Sequence, residues 1–301
     1  MSRLEGVEML NRAAQALTID PNNLVIGIAS IEVGGIGLGS LTDANLDVTT
    51  IVKERYVGYP AQRHETVVES MSAKVAFTAE EIGGTAVISL LDNLFNNLET
   101  SSSLKYLFTM YAPFATGDNL RLDAVAMLLP ELSLDWQDDW SKIAFKFECV
   151  SNNAQSLFTK ARVSGDRMPA TTKNTNNLSI GKPKLTVNGI AVGALQSLNI
   201  ALTGEVKQVQ RSLPKCTSDL TYVSSNMNIN VTLEEGTLQA DEAASVLVEQ
   251  ALIDGRILCL EFPVCNITSD ISLVSNNDWL GYKQKIMPYR LDDKLVKVYL
   301  K

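Results

Sequence analysis

The sequence predicts a mainly β protein: two tandem copies of a β-sandwich or barrel-forming sheet, each with one flanking α-helix. Three observations point there. Ile31–Pro60 aligns without a gap on Leu185–Pro214, the offset being 185 − 31 = 154 throughout, with Val33/Val187, Gly35/Gly189, Ile36/Ile190, Leu41/Leu195, Asn45/Asn199, Thr49/Thr203, Lys53/Lys207 and Pro60/Pro214 among the identities. Glu131–Trp140 aligns likewise on Asp270–Trp279, sharing Ser133/Ser272, Leu134/Leu273, Asp139/Asp278 and Trp140/Trp279. Within these segments apolar and polar residues alternate, which sends successive side chains to opposite faces of a strand. Duplication on this scale organises the chain more than any single motif does.

Composition sets the bounds. A chain of 301 residues, 46% hydrophobic and 20% charged, has apolar material for two cores of ordinary size. Its 34 acidic against 26 basic residues give −8, which argues against gripping nucleic-acid phosphates over the surface but not against nucleic acid passing by. Cys149, Cys216, Cys259 and Cys265 are too few and too irregularly spaced for a disulfide framework or a zinc site. Glu5 and Glu8 stand where a signal peptide needs a basic start and an apolar run, so synthesis in a reducing cytoplasm is expected.

Residues 1–22 form an N-terminal arm in which Leu4, Val7, Leu10, Ala14 and Leu17 recur at helical spacing before Pro21. Residues 23–150 make the first domain. A strand from Leu24 reaches Gly34-Gly35, which supplies the positive φ angles of a tight hairpin; Asn188-Gly189 does the same in the second copy. The GGIGLG run is not a dinucleotide fingerprint, because its spacing is wrong and a strand follows it.

The next strands carry one apolar face and one face of short polar groups. Asp43, Asn45, Asp47 and Thr49 point outward opposite Ala44, Leu46 and Val48, and Ser72 and Lys74 do so opposite Ala73 and Val75. Ser197, Asn199, Thr203, Asn228, Asn230 and Thr232 repeat the pattern. So short-chained a surface is expected to be a smooth wall rather than an ordinary solvated face. Long connections, Val52–Thr66 and Val206–Tyr222, are expected as loops that contact another subunit, with Arg55, Tyr56, Tyr59 and Arg63 in the first and Arg211, Leu213 and Lys215 in the second.

Helices are expected over Ala79–Leu98 and Asp241–Ile253, with Glu80, Glu81, Glu234 and Glu235 as charges favouring their first turns. A strand follows each, Leu104–Tyr111 and Ile257–Val264, and a hairpin with a polar turn closes each domain. Asp135, Asp138 and Asp139 lack the spacing of a calcium loop. Residues 151–177, rich in Asn, Thr and Ser, read as a linker of at most about 90 Å, and 178–301 as the second domain.

In this order of elements both halves resemble the tail tube domain of long-tailed bacteriophages, a family that takes in the tubes of contractile injection machines. The resemblance rests on the Gly hairpin and its alternating strand, the long connection, the helix, and the late AVAMLLPELSLDWQDDWSKIAFKF pattern. Two such domains in one chain depart from the usual single one. The resemblance implies a virion structural protein, assembled in the bacterial cytoplasm, whose sheet closes with that of other copies into rings. Three chains, six repeats, would make one ring, and stacked rings a tube for the tape-measure protein and DNA. The twelve outward residues above would line the lumen, and the long loops would join ring to ring. Sheath, baseplate and tail-terminator proteins would be further partners, and a baseplate hub or tail-completion ring is the alternative use of the same domain. No cofactor, metal or catalytic residue is expected: His64 is the only histidine, and no nucleophile elbow or phosphate loop is present.

Overall fold

The structure, a computed structural model, describes residues 30–38, 41–57, 62–97, 106–114, 116–137, 140–151, 158–163, 174–211, 217–276, 279–291 and 294–301. The N-terminal arm lies outside these residues. The first half holds β1 (Ser30–Val33), β2 (Ile36–Leu38), β3 (Leu41–Val57), β4 (Gln62–Ala79), α1 (Thr85–Asn97), β5 (Tyr106–Pro113), β6 (Asn119–Gln137), β7 (Trp140–Ser151) and β8 (Phe158–Val163). The second holds β9 (Lys184–Val187), β10 (Ile190–Ala191), β11 (Leu195–Arg211), β12 (Thr217–Leu233), β13 (Asp241–Ala251), β14 (Ile257–Asn276), β15 (Trp279–Tyr289) and β16 (Lys297–Leu300). The protein is mainly β, as its alternating pattern requires.

Both glycine hairpins form as their turn residues dictate. Gly34 and Gly35 take φ of 61° and 79°, and Asn188 and Gly189 take 50° and 78°, the two consecutive positive values of a type I′ turn. An Asn side chain tolerates that region and also ties the tip down. Asn188 donates to Asp241 Oδ2 at 2.8 Å and accepts from the Ser245 amide at 2.8 Å.

Among the described residues every strand pairing is antiparallel, and the order β3-β4-β7-β6 in the first half recurs as β11-β12-β15-β14 in the second. Registers recur too. Val75 faces Phe147 and Ile229 faces Ile286, with 229 − 75 = 154 and 286 − 147 = 139. Ladder irregularities fall at Ile51/Val52 and again at Glu205/Val206, 154 residues on. The two four-stranded arrays lie side by side in one sheet because β6 pairs with β11.

β6 and β14 are long because each serves two sets of neighbours. Residues 119–124 of β6 lie between β5 and β8, while residues 131–136 lie between β7 and β11. Residues 258–261 of β14 lie between β13 and β16, while residues 271–276 pair with β15 alone.

The apolar faces meet in one core. Val75, Phe77, Leu132, Leu134, Ile143 and Phe145 from the first half join Leu198, Ile200, Ile229, Val231, Phe262 and Ile286 from the second. Phe77 and Phe145 stack with centroids 5.0 Å apart. Helix α1 buries Val87, Leu90, Leu91, Leu94 and Phe95, an i, i+3, i+4 stripe, and packs on β2 and β16. It therefore spans both halves. Asn96, buried near its end, donates to Val296 O at 2.9 Å and accepts from the Leu295 amide at 2.9 Å, so the cost of burying its amide is offset.

Four expectations are corrected here. Asp241–Ile253 is not a helix: Asp241–Ala251 is β13, buried at Ala244, Val246, Val248 and Gln250 and paired with β9 and β14. That alternation is a strand's, and neighbours on both edges satisfy its backbone. The linker 151–177 contains β8, paired with β6, and a 3-10 turn at Thr175–Asn177. The loops Val52–Thr66 and Val206–Tyr222 are mostly strand, because β3, β4, β11 and β12 run on as two long hairpins. Finally, α1 starts at Thr85 and has no acidic residue in its first turn, so Glu80 and Glu81 do not serve its dipole, and Glu234 and Glu235 precede a strand rather than a helix. Glu81 instead is buried and accepts from the Asn174 amide at 3.1 Å and from Asn177 Nδ2 at 3.4 Å, tying the two halves together.

Candidate functional site

The seam between β6 and β11 is the place where one half of the molecule shows what the other half lacks. Six pairs run from Trp136/Leu198 to Glu131/Thr203. On the inner face of β6, Leu132 is 0% and Leu134 1% exposed. Adding 139 gives their counterparts on β14, Ile271 and Leu273, which are 46% and 64% exposed, beside Leu280 at 54%. Among the described residues nothing pairs with this stretch of β14 on its far side. At the other end of the array, among the described residues, β3 pairs only with β4. By the offset of 154 its Ala44–Thr49 stretch corresponds to Leu198–Thr203. Among the described residues the array thus has two complementary open edges, and both are hazards unless covered.

The opposite face of the same array is polar. Asp135, Asn199, Asn230 and Lys285 stand in one row across β6, β11, β12 and β15. Asn199 Nδ2 donates to Asp135, and Asn230 Nδ2 donates to Asn199 Oδ1 at 3.2 Å. A second row runs Asn45, Ala76, Lys146, Glu131, Thr203, Asn226 across six strands and both halves. Lys146 and Glu131 in it form an ion pair at 2.5 Å. This pair is largely exposed, so it contributes at most about 1 kcal/mol and mainly orders the two side chains.

Most of the twelve outward positions lie where alternation put them. Asp43, Asn45, Asp47, Thr49, Lys74 and Thr203 are exposed, and Ser72, Ser197, Asn199, Asn228 and Asn230 are half-buried. Asp43 has φ 54° beside a break in the β3–β4 register, a strained backbone that Asp tolerates better than most residues. Thr232 is a correction: it is 7% exposed, because Ser197 and Lys283 flank it on the two neighbouring strands. The face carries charges of both signs. Lys146, Lys283 and Lys285 join Lys74 on it and balance Asp43, Asp47, Glu131 and Asp135. Sequence reasoning missed these residues because β7 and β15 were seen only as closing hairpins, and Asp135 as a solvated turn. Their i, i+2 spacing at Lys283 and Lys285 was the available sign.

Of the ring-joining positions, Arg55 and Tyr56 lie on β3, Arg63 on β4 and Arg211 at the end of β11; Tyr59, Leu213 and Lys215 fall outside the described residues. The described ones lie in the far parts of the two long hairpins, whose registers repeat at 154 as far as Arg55/Glu65 and Val209/Asp219 and then differ, because β3–β4 has a break at Arg55/Tyr56 that β11–β12 lacks. No group of three or more His, Cys, Asp and Glu capable of holding a metal occurs among the described residues. The free thiols Cys259 and Cys265 are buried, and desolvation pushes that of Cys265 up to about 12. No described helix is long and apolar enough to cross a membrane. Compared with known family models and with curated proteins, the chain matches none.

Proposed function

We propose that the protein is a structural subunit that assembles head to tail into closed rings, and that the rings stack into a tube of the kind long-tailed phages use to conduct DNA. One observation carries this reading: the β6–β11 seam inside the chain is a template for a β14–β3 seam between chains. In that seam Leu273 and Ile271 of one copy would take the places of Leu134 and Leu132, facing Leu46 and Val48 of the next. A contact between two different surfaces repeats until it closes, and a uniformly curved sheet closes as a ring. Closure also removes both open edges.

On this reading three chains, each supplying two equivalent four-stranded arrays, complete one ring. The polar face lines the channel. Lys146 pairs with Glu131 across strands and Lys74 stands opposite Asp47, so no net positive surface holds phosphate and a polyanion slides past. The paired long hairpins extend from each ring to the next, and the tape-measure protein occupies the channel before DNA does.

Negative-stain microscopy and native mass spectrometry of the purified full-length protein test the proposal. Hollow rods with threefold rings are expected. Single rings that never stack would favour a hub or completion role, and a protein that stays monomeric at high concentration would overturn assembly altogether.

A further inference from the structure

The two halves differ in one respect that leaves a space. In the first half the connection from β4 to β5 holds α1, which packs on β2, and Leu38 there is 1% exposed. In the second half β12 connects to β13 through Glu234–Ala240, which contains no helix. The residues equivalent to Ile36 and Leu38 are Ile190 and Val192. Ile190 is 74% exposed, Val192 is only partly buried, and a cavity of about 720 Å³ opens beside them. Val187, Leu233 and Leu238 complete its apolar lining.

We propose that this cavity is a second helix seat and that residues 4–17 of the chain occupy it. Its β10 wall corresponds to the β2 wall on which α1 packs in the first half, and the apolar lining at Val187, Ile190, Val192, Leu233 and Leu238 suits an apolar helical stripe. The sequence offers a further apolar stripe at helical spacing: Leu4, Val7, Leu10, Ala14 and Leu17 recur three or four residues apart, over a length similar to that of α1. Residues 18–29 join it to β1 and can span up to about 40 Å, and the arm can come from the same chain or from an adjoining copy. Filling the seat removes Ile190 and Val192 from water and gives each half one helix. The inference does not depend on the tube, since the seat exists in a single chain.

Hydrogen exchange on the full-length protein tests it, with two variants. In Val7→Asp/Leu10→Asp the amides of residues 190–192 and 236–240 are expected to exchange at least about tenfold faster than in the parent, with β15 unchanged. Ile190→Asp, at an exposed site that tolerates charge, is expected to raise exchange across residues 4–17 by a similar factor. Adding a synthetic peptide of residues 1–22 to the first variant restores protection at 190–192. Unchanged exchange at 190–192 in the first variant and at 4–17 in the second would overturn the assignment, even if rods still form. A crosslink between Leu10→Cys and Ile190→Cys in a mixture of light and heavy protein shows whether the helix comes from its own chain or its neighbour.

Discussion

Substituting the same repeat position in the two halves should produce opposite results. Leu134 and Leu273 are equivalent, yet the first is 1% and the second 64% exposed. Leu134→Ala removes a fully buried side chain from the core and should destabilise folding by roughly 2–5 kcal/mol, read as a fall in the denaturant midpoint. Leu273→Asp, paired with Ile271→Thr, touches side chains that are largely in water, and the fold should change by no more than about 0.5 kcal/mol. Assembly is where the loss should appear. Full burial of such side chains is worth about 1.5–3 kcal/mol each, and about half to two thirds of that remains to be gained on pairing, so the seam should weaken by roughly 2–3 kcal/mol. That corresponds to about 30- to 150-fold in the association constant of each contact. Sedimentation velocity over a concentration series, with denaturant melts on the same samples, separates the two effects. If the β14 variant assembles as the parent does, or if it unfolds as readily as Leu134→Ala, the template argument fails.

Other outcomes are expected elsewhere in the fold. Gly83→Ala places a Cβ 2.3 Å from Leu252 Cδ1 and 3.1 Å from Asn177 O, so it should cost about 1–3 kcal/mol, and Leu252→Ala in the same chain should recover part of that; additive effects in the double-mutant cycle would show no clash. Cys265 should resist a thiol reagent in the native protein and react on unfolding. Because its folded pKa lies above that of a free thiol, the folded state holds more protons between about pH 8.5 and 12, and stability should fall as pH rises through that window; Cys265→Ala should flatten this slope in pH-dependent melts. Trimming the first long hairpin, replacing residues 55–63 with a short Asn-Gly turn, should leave β3–β4 pairing near Asn45/Ala76 intact and give rings that no longer stack. Rods of normal length from that variant would move the ring-to-ring contact elsewhere.

What the sequence determined by itself was whatever depends on local chemistry. Consecutive Gly-Gly and Asn-Gly pairs admit the positive φ of a hairpin, and alternation assigns the residues of β11 between its bulges, Ser197 to Thr203, to their faces whatever the strand pairs with. The stripe of α1 was legible for the same reason, to within a few residues. The ungapped repeat carried register as well, since equal spacing places equal residues opposite one another. Tertiary pairing decided the rest. Asp241–Ala251 can be written on a helix or a strand; unpaired edges on β9 and β14 made it a strand, because there its backbone groups find partners and Ala244, Val246 and Val248 reach the core. No local pattern distinguishes Leu134 from Leu273 or Leu38 from Val192. Only the position of β6 against β11, and of α1 against β2, buries one member of each pair fully and leaves the other exposed or only partly covered, because burial belongs to the neighbours a residue acquires rather than to the residue itself.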